Sequence, residues 1–346
     1  MMQYKLFGRT GLRVSELCLG TMTFGTEWGY GSDYAGSKAL FEAFAEAGGN
    51  FYDTANRYTE GTSERYLGEF IAADRHRWVI ASKYSLRDRG GDPNFSGNHR
   101  KNLMRSVEES LRRMKTEFMD ILWVHAWDGL TPVDEVLRGL DDLVRQGKVH
   151  YIGISDTPAW VCSMANVLAE LRGWERFAGL QVEYSLINRT VERDLLPMAQ
   201  HFGMTITPWG ALGGGALTGK YLRGEAGRVP EQSLRRDARA TAIAQTVVDI
   251  AAELGALPGQ VALAWVRSYS PLVIPIVGAK NAAQIQESIG CLDVQLEAAH
   301  LERLNAVSAI ELGFPHDFLA GPAVADVLYG GTRGQVMDTH RFGPVR

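Results

Sequence analysis

Cysteine is scarce in this chain of 346 residues. Its three cysteines, Cys18, Cys162 and Cys291, are too few and too widely spaced for a disulfide framework or a zinc knuckle. We therefore expect buried thiols in a reducing compartment. The spacing of histidines, cysteines and carboxylates likewise suggests no metal site.

Long apolar runs and a large excess of one charge are also missing. No stretch approaches the roughly 18 apolar residues of a membrane-spanning helix, and the N-terminus has no apolar signal core. The net charge is only −4, which gives no reason to expect a nucleic-acid partner. With 45% hydrophobic and 22% charged residues, the composition is that of a globular protein. These features predict a soluble, cytoplasmic protein that binds neither membrane nor nucleic acid.

Short apolar segments alternate with longer amphipathic segments along most of the chain. The segments predicted as strands are 16–20, 50–53, 78–82, 119–124, 150–155, 179–183, 204–208 and 272–277. The predicted helices between them include 38–47, 63–72, 100–114, 133–146, 158–171, 193–201, 240–255 and 283–291. Such alternation predicts right-handed βαβ units and a parallel sheet. Eight units favour a closed α/β barrel, the (β/α)8 TIM barrel, over an open sheet.

The two ends of the chain extend this barrel. Segments 4–7 and 12–15, joined by a Gly-Arg-Thr-Gly turn, predict an N-terminal β-hairpin that could plug the lower mouth. We expect one domain over residues 1–346, with the barrel at about 16–292 and extra helices around it. A C-terminal helix at 297–308 and a long tail without clear periodicity complete the region 293–346.

Charged residues stand where three consecutive predicted strands end. Asp53 ends the second strand, Lys83 follows the third and His125 follows the fourth, while Tyr58 lies five residues beyond Asp53. Active sites of (β/α)8 barrels lie at these carboxyl ends. A purely structural ion-pair network is the alternative interpretation, since a buried carboxylate and ammonium must pair in any case.

The chemistry of the same four residues suits a proton donor. A tyrosine titrates near pH 10, too high for an efficient acid at pH 7. We expect the Lys83 ammonium to lower the pKa of Tyr58, Asp53 to hold the lysine, and His125 to orient a carbonyl oxygen. The side chains supply no reductant, so this proton donor implies a bound hydride carrier.

A glycine-rich segment follows the seventh predicted strand. Residues 214–220 fit the pattern G-x-x-x-x-G-K, but Tyr221 stands where a serine or threonine would bind magnesium. The glycines can still present backbone N–H groups to a phosphate; a flexible loop is the alternative. No G-x-G-x-x-G follows a strand, so a Rossmann dinucleotide site is not expected.

These residues together resemble the aldo-keto reductase superfamily. The resemblance runs from the segments 6–11 and 19–25 to about residue 316, and the order and spacing of Asp53, Tyr58, Lys83 and His125 match the catalytic tetrad of that family. The segments GISDTPAW, QVEYSL and TPWGAL, at 153–160, 181–186 and 207–212, look like its aryl-alcohol dehydrogenase-like branch.

The resemblance implies an NADP(H) site built from several loops. Near the nicotinamide it implies Gly20, Thr21, Met22, Asp53, Ser155, Asp156, Gln181 and Trp209, the last as the stacking ring. At the pyrophosphate it implies Gly210, Ala211, Leu212, Gly213, Gly215 and Lys220. At the adenosine phosphate it implies Gly278, Lys280, Gln284 and Ser288. Asp156, Gly210, Lys280 and Ser288 replace the more usual Asn, Ser, Arg and Asn. A lysine lacks the bidentate fork of arginine, so we expect a moderate preference for NADPH.

The implied activity is the NADPH-dependent reduction of an aldehyde or ketone, by a monomer or a homo-oligomer. Trp28, Tyr30 and Trp127 predict a pocket for an aromatic or bulky apolar carbonyl substrate. One alternative is a cofactor-sensing binding subunit on the same barrel, like the potassium-channel β subunits. Another is a sugar-phosphate isomerase or aldolase, in which Lys83 would form a Schiff base. Steady NADPH turnover would exclude the first, and borohydride trapping would reveal the second.

Overall fold

The computed structural model describes residues 2–337, which contain a two-stranded hairpin and an eight-stranded parallel sheet. In the hairpin, β1 (Tyr4–Leu6) pairs antiparallel with β2 (Arg13–Ser15). The parallel strands are β3 (Cys18–Gly20), β4 (Phe51–Asp53), β5 (Val79–Tyr84), β6 (Met119–Val124), β7 (Val149–Ser155), β8 (Phe177–Glu183), β9 (Thr205–Trp209) and β10 (Ile276–Val277). Each of β3 to β8 is hydrogen-bonded to the next strand along the chain, as βαβ units require.

The last strand closes the sheet into a barrel. β10 pairs in parallel with β3 on one side. On the other side, Ile206 of β9 donates its N–H to the carbonyl of Leu272 (3.0 Å) and accepts from the N–H of Ile274 (2.8 Å). The predicted α/β barrel is therefore confirmed. The predicted strand 272–277 is nevertheless wrong in length, because Pro275 has no N–H to donate and interrupts the ladder.

Helices cover the outside of the barrel. They are α1 (Tyr34–Glu46), α2 (Thr62–Ile71), α3 (Arg100–Met114), α4 (Val133–Arg145), α5 (Ala159–Arg172), α6 (Leu195–Phe202), α7 (Ala238–Leu254), α8 (Pro258–Ser268), α9 (Ala282–Ile289), α10 (Ala298–Val307), α11 (His316–Ala320) and α12 (Pro322–Tyr329). The predicted helices do not include α8, whose Pro-Gly start resembles a break. Pro258 occupies the first turn, where a missing N–H costs nothing.

The hairpin plugs the bottom of the barrel. Phe7 is fully buried and packs edge-on against Phe51 at 6.1 Å and Trp123 at 6.0 Å between ring centroids. Glycines on the neighbouring strands make room for this cluster: a methyl group on Gly153 would lie 2.2 Å from the ring of Trp123, and one on Gly179 would lie 2.5 Å from Phe7. The barrel interior is therefore packed at its lower end, which leaves the carboxyl ends of the strands for the site.

The tail after α10 forms two short helices, α11 and α12, that the sequence analysis did not predict. Neither helix buries any of its residues. Residues 338–346 of the predicted tail lie outside the described residues. In the described part, no single helix is long and apolar enough to cross a membrane; α7 and α8 pass that test of length and composition only as a pair bent by 100°.

Candidate active site

Three adjacent strands place the four tetrad candidates at one end of the barrel. Asp53 is the last residue of β4, Lys83 is next to last in β5, and His125 directly follows β6. Tyr58 begins a 3-10 turn, Tyr58–Gly61, in the connection after β4. Because these strands are hydrogen-bonded neighbours, their ends meet, and the structure brings all four side chains together.

Lys83 is the centre of this cluster. It is 1% exposed, and its Nζ donates to the carboxylate of Asp53, to the carbonyl of Thr54 (2.8 Å) and to the hydroxyl of Tyr58 (3.0 Å). Asp53 is 2% exposed, and its other oxygen accepts from Nε2 of Gln181 at 3.0 Å. The buried ammonium thus has three acceptors, and the carboxylate that neutralises it is itself fixed.

The network sets the protonation states of Lys83 and Tyr58. Burial lowers the pKa of Lys83, but the charge of Asp53 and the bond to Tyr58 outweigh burial, so its pKa is raised and the ammonium persists. Burial raises the pKa of Tyr58, and the Lys83 charge only partly opposes this rise. The expected net lowering of the phenol pKa is therefore wrong, because desolvation exceeds the attraction of one ammonium. At pH 7 Tyr58 is a neutral phenol, which is the form that can donate a proton.

His125 adds a neutral imidazole next to the phenol. Its ring stands edge-on to that of Tyr58, with 6.0 Å between centroids and 84° between planes. Burial and the nearby Lys83 charge hold its pKa well below the usual 6.5. Its Nδ1 is buried without a hydrogen-bond partner among the described residues. The ring is therefore uncharged near pH 7 and keeps hydrogen-bonding capacity for a ligand.

Some of the residues expected near the nicotinamide have polar groups available to a ligand, and others are bonded to neighbouring residues. The buried hydroxyl of Ser155 has no partner among residues 2–337, and so is available to a ligand. Asp156 follows at φ +40°, and its carboxylate accepts the indole N–H of Trp209 at 3.3 Å. Thr21, in contrast, directs its hydroxyl to the carbonyl of Asp53 at 3.0 Å. Gln181 holds Asp53, a positioning bond that the sequence analysis missed.

Gly20 and Met22 flank this group at the end of β3. A methyl group on Gly20 would lie 2.7 Å from the side chain of Ile276, so the first and last barrel strands approach closely there. Met22 follows on the connection after β3 and is partly exposed. These two residues therefore border the upper end of the barrel beside Asp53, whose backbone pairs with Gly20.

The glycine-rich segment after β9 folds into a series of tight turns. Gly210, Gly213, Gly214, Gly215 and Gly219 all have positive φ, between +57° and +95°. The N–H groups of Gly213, Gly215 and Gly219 donate to carbonyls of the same segment, those of Gly210 (2.7 Å), Leu212 (2.9 Å) and Ala216 (3.4 Å), so the glycines allow these tight turns. Ala211 is buried and Leu212 partly buried beneath them, which anchors the segment to the core.

Three basic side chains lie near these turns, and one of them, Arg235, is ion-paired with Glu183 at 2.5 Å. A methyl group on Gly215 would lie 2.8 Å from Nζ of Lys220, and one on Gly214 would lie 3.4 Å from Arg235 and 3.7 Å from Arg228. Neither arginine was among the predicted site residues. The only signal for them was the density of basic residues in the long connection 210–239, which does not show that the chain folds back over its own glycines.

The segment after β10 presents an exposed lysine. Lys280 is exposed, and no carboxylate lies within ion-pair distance of it in the described part of the chain. Its backbone N–H donates to Oε1 of Gln284 at 2.9 Å. Ser288 is buried and donates its hydroxyl to the carbonyl of Gln284 at 3.0 Å, within its own helix. Gly278 is exposed on the same connection, and a methyl group there would meet nothing within 4 Å.

One of the three predicted pocket aromatics, Trp28, lies beside the phenol, and a second, Tyr30, packs against Trp28. The Trp28 ring is 6.3 Å from the Tyr58 ring and 6.1 Å from that of Tyr30, measured between centroids. The guanidinium of Arg57 lies over Trp28 at 5.5 Å. Trp127 lies on the connection after β6, where its backbone N–H donates to the carbonyl of Asp156 at 3.4 Å.

Comparisons with known proteins agree with the predicted family. The model of the aldo/keto reductase family matches residues 16–309. A putative aryl-alcohol dehydrogenase of Saccharomyces cerevisiae is 38% identical, over 92% of this chain and 90% of the relative. The norsolorinic acid reductase of Emericella nidulans is 37% identical, over 89% and 82%. An aryl-alcohol dehydrogenase [NADP(+)] of Phanerodontia chrysosporium is 37% identical, over 88% and 86%. The match to the family model covers the barrel and every strand end that contributes to the site. The chain belongs to the aldo/keto reductase family.

Proposed function

We propose that this protein is an NADP(H)-dependent oxidoreductase that reduces an aldehyde or ketone, with Tyr58 as the proton donor. The observation that carries the proposal is the bond from Nζ of Lys83 to the hydroxyl of Tyr58 at 3.0 Å. The phenol is neutral, and an ammonium is already in place to stabilise the phenolate that forms when the proton leaves. This arrangement supports general acid catalysis.

The chain offers groups that fit each part of NADP(H). The unpartnered hydroxyl of Ser155 and the carboxylate of Asp156 suit the donors and acceptors of a carboxamide. Lys220, which lies beside the glycine turns, suits a pyrophosphate, and Lys280 suits a 2′-phosphate. Membership in the family and the NADP(+) named for the Phanerodontia chrysosporium relative support the same cofactor.

When bound, NADPH would supply the hydride. The remaining roles belong to the protein's own side chains. Tyr58 donates its phenolic proton to the carbonyl oxygen, and Lys83 stabilises the resulting charge at the phenolate oxygen. Asp53 keeps the ammonium charged and in position, while Gln181 holds Asp53. Neutral His125 offers a hydrogen bond to the same carbonyl oxygen and adds no competing cation.

The surroundings of the phenol favour an aromatic or bulky apolar substrate. Trp28 lies beside Tyr58 and Tyr30 packs against Trp28, so a flat apolar group could stack there while its carbonyl reaches the hydroxyl. The name of one relative, the aryl-alcohol dehydrogenase of Phanerodontia chrysosporium, supports an aromatic substrate class. The Schiff-base alternative is disfavoured, because a nucleophilic lysine must be neutral and the pKa of Lys83 is raised.

The Tyr58→Phe variant tests the proposal. We expect steady NADPH oxidation with a panel of aromatic aldehydes in the wild type, and a loss of about 10²–10⁴-fold in kcat in the variant. The NADPH dissociation constant, measured by cofactor fluorescence, should stay nearly unchanged, since the hydroxyl acts on the substrate. A variant that keeps most of its kcat would show that Tyr58 is not the acid. Wild-type protein that binds NADPH without turnover would favour the cofactor-sensing alternative.

A further inference from the structure

The backbone is strained at Ser85, directly after β5. In the described part of the chain, five residues other than glycine have a positive φ, and four of them lie on the connections after β4, β5 and β7: Thr59, Glu60, Ser85 and Asp156. Three of these four have φ between +40° and +54°, near the left-handed region, whereas φ of Ser85 is +100°. A residue with a Cβ keeps such a conformation only where its surroundings hold it, and these residues cluster at functional sites.

The bonds around Ser85 also hold the backbone of His125. The N–H of His125 donates to the carbonyl of Tyr84 at 3.0 Å, and the next N–H, that of Ala126, donates to Oγ of Ser85 at 3.0 Å. The two peptide groups that flank His125 are therefore both bonded to the end of β5 and the residue after it. Ser85 is buried, so water does not compete for the bond to its hydroxyl oxygen.

A second set of bonds keeps Ser85 in this conformation. Its carbonyl accepts the N–H of Gly97 at 2.8 Å. The next residue, Asn98, is buried and exchanges two bonds with Asp128, from the Asn98 N–H to the carboxylate (2.7 Å) and from the Asp128 N–H to the amide oxygen (2.6 Å). The Asn98 amide also donates to the carbonyl of Ala126 at 2.9 Å. The connections after β5 and β6 are thus joined on both sides of Ala126.

The imidazole of His125 depends on this backbone for its orientation. A functional imidazole is often oriented by a hydrogen bond at its second nitrogen. Nδ1 of His125 is buried and has no such partner among residues 2–337. The edge-on contact with the Tyr58 ring, at 6.0 Å between centroids, restrains the imidazole but fixes no hydrogen-bond direction. The backbone, which sets the direction of the Cα–Cβ bond, therefore decides where the ring nitrogens point.

We propose that Ser85 is a positioning residue for the carbonyl reduction, because its hydroxyl oxygen fixes the backbone that aims the His125 imidazole at the substrate carbonyl. This inference rests on the proposed function, in which the carbonyl oxygen receives a proton from Tyr58 and a hydrogen bond from His125. A glycine would adopt φ +100° without strain, but it has no oxygen to accept the Ala126 N–H. The serine therefore costs conformational stability at this position and supplies the bond.

Two substitutions of Ser85 separate this role from a purely structural one. Ser85→Ala and Ser85→Gly both remove the acceptor, but only Ser85→Gly also removes the strain, so it should unfold at the higher temperature of the two. Both should lose about 10- to 100-fold in kcat/KM with an aromatic aldehyde, because a misplacement of about 1 Å costs on the order of 10²-fold. The NADPH dissociation constant, measured by cofactor fluorescence, should stay unchanged. Ser96→Ala is the matched control on the same connection, where the backbone is extended, and should keep the wild-type kcat/KM.

A double-mutant cycle with His125→Ala shows whether Ser85 acts through the imidazole. Once the ring is gone, Ser85→Gly should change kcat/KM by no more than about twofold. Losses that multiply in the double variant would overturn the proposal, because Ser85 would then act independently of His125. A Ser85→Gly variant with the kcat/KM of the wild type would also overturn it, since activity would then follow stability and not the hydrogen bond.

A measurement without turnover distinguishes the failure of this inference from the failure of the proposed function. The His125 ring, assigned by the signal that His125→Ala lacks, is titrated by NMR in the ligand-free protein. Burial and the Lys83 charge hold the pKa of His125 well below 6.5, and the neighbouring Tyr58 is neutral. In Ser85→Gly the ring should become more accessible to water, and its pKa should rise toward 6.5.

The two failures then give different results. A wild type that reduces no carbonyl would refute the proposed function, and the NMR titration would still decide the role of Ser85. An unchanged titration of His125 in Ser85→Gly would refute the positioning role, whatever the activity. Should Ser85→Ala not fold, Ser85→Gly is compared with the wild type alone, because it lacks the strain that destabilises the alanine variant.

Discussion

Replacing Lys83 with methionine would test the buried charge network at the centre of the site. The two side chains have similar length, but methionine has no donor for the three acceptors that Lys83 serves. The buried carboxylate of Asp53 would keep only the amide of Gln181 at 3.0 Å. The substitution therefore changes two properties together: the stability of the fold and the acidity of Tyr58.

The cost to stability can be worked out from the burial of the pair. Removing one partner of a buried ion pair costs about 3–5 kcal/mol, because an uncompensated charge is left behind. We expect that loss in the free energy of unfolding of Lys83→Met at neutral pH. The double variant Asp53→Asn/Lys83→Met removes both charges and should regain most of it. Urea unfolding followed by circular dichroism measures both variants against the wild type.

The double variant should regain stability but not activity. Without the ammonium, nothing opposes the effect of burial on the pKa of Tyr58, so the phenol becomes a weaker acid. We expect both variants to lose about 10²–10⁴-fold in kcat while NADPH still binds. A double variant that regained kcat along with its stability would contradict the catalytic assignment and favour a purely structural ion pair. A single variant as stable as the wild type would refute the energetic argument.

Three further predictions concern the cofactor and the pH dependence. Trp209→Ala removes the ring that stacks on the nicotinamide, so NADPH binding, measured by fluorescence titration, should weaken about 2- to 12-fold while the unfolding midpoint stays nearly unchanged. A variant that unfolds would instead show that the ring belongs to the core. Lys280→Ala should weaken NADPH binding about 5- to 30-fold, less so in high salt, with NADH affinity unchanged; equal losses would show that Lys280 only supports its loop. Burial and Lys83 lower the pKa of His125, so its imidazole is neutral, and its protonation should not lower kcat/KM between pH 8 and about pH 6.5. A fall of kcat/KM toward acid pH with its midpoint at or above the usual pKa of histidine would refute the neutral imidazole.

Much of the architecture can be predicted from local sequence patterns, without knowledge of the tertiary structure. Continuous apolar strands alternate with amphipathic helices, and that alternation predicts a parallel barrel and the end at which its site lies. The helix bounds 100–114 were predicted as the structure has them. Errors arose where local signals compete. Pro258 resembles a break but starts α8, and Pro275 shortens β10 within an apolar run that looks continuous.

The sequence by itself determined which residues stand at the strand ends, because that depends only on where each apolar run stops. Only the tertiary structure decided their environment. Burial outweighs the charge of Lys83 at Tyr58, and Gln181, 128 residues from Asp53, supplies its second hydrogen bond. Desolvation and long-range hydrogen bonds both depend on which segments become neighbours, and one-dimensional spacing does not contain that information.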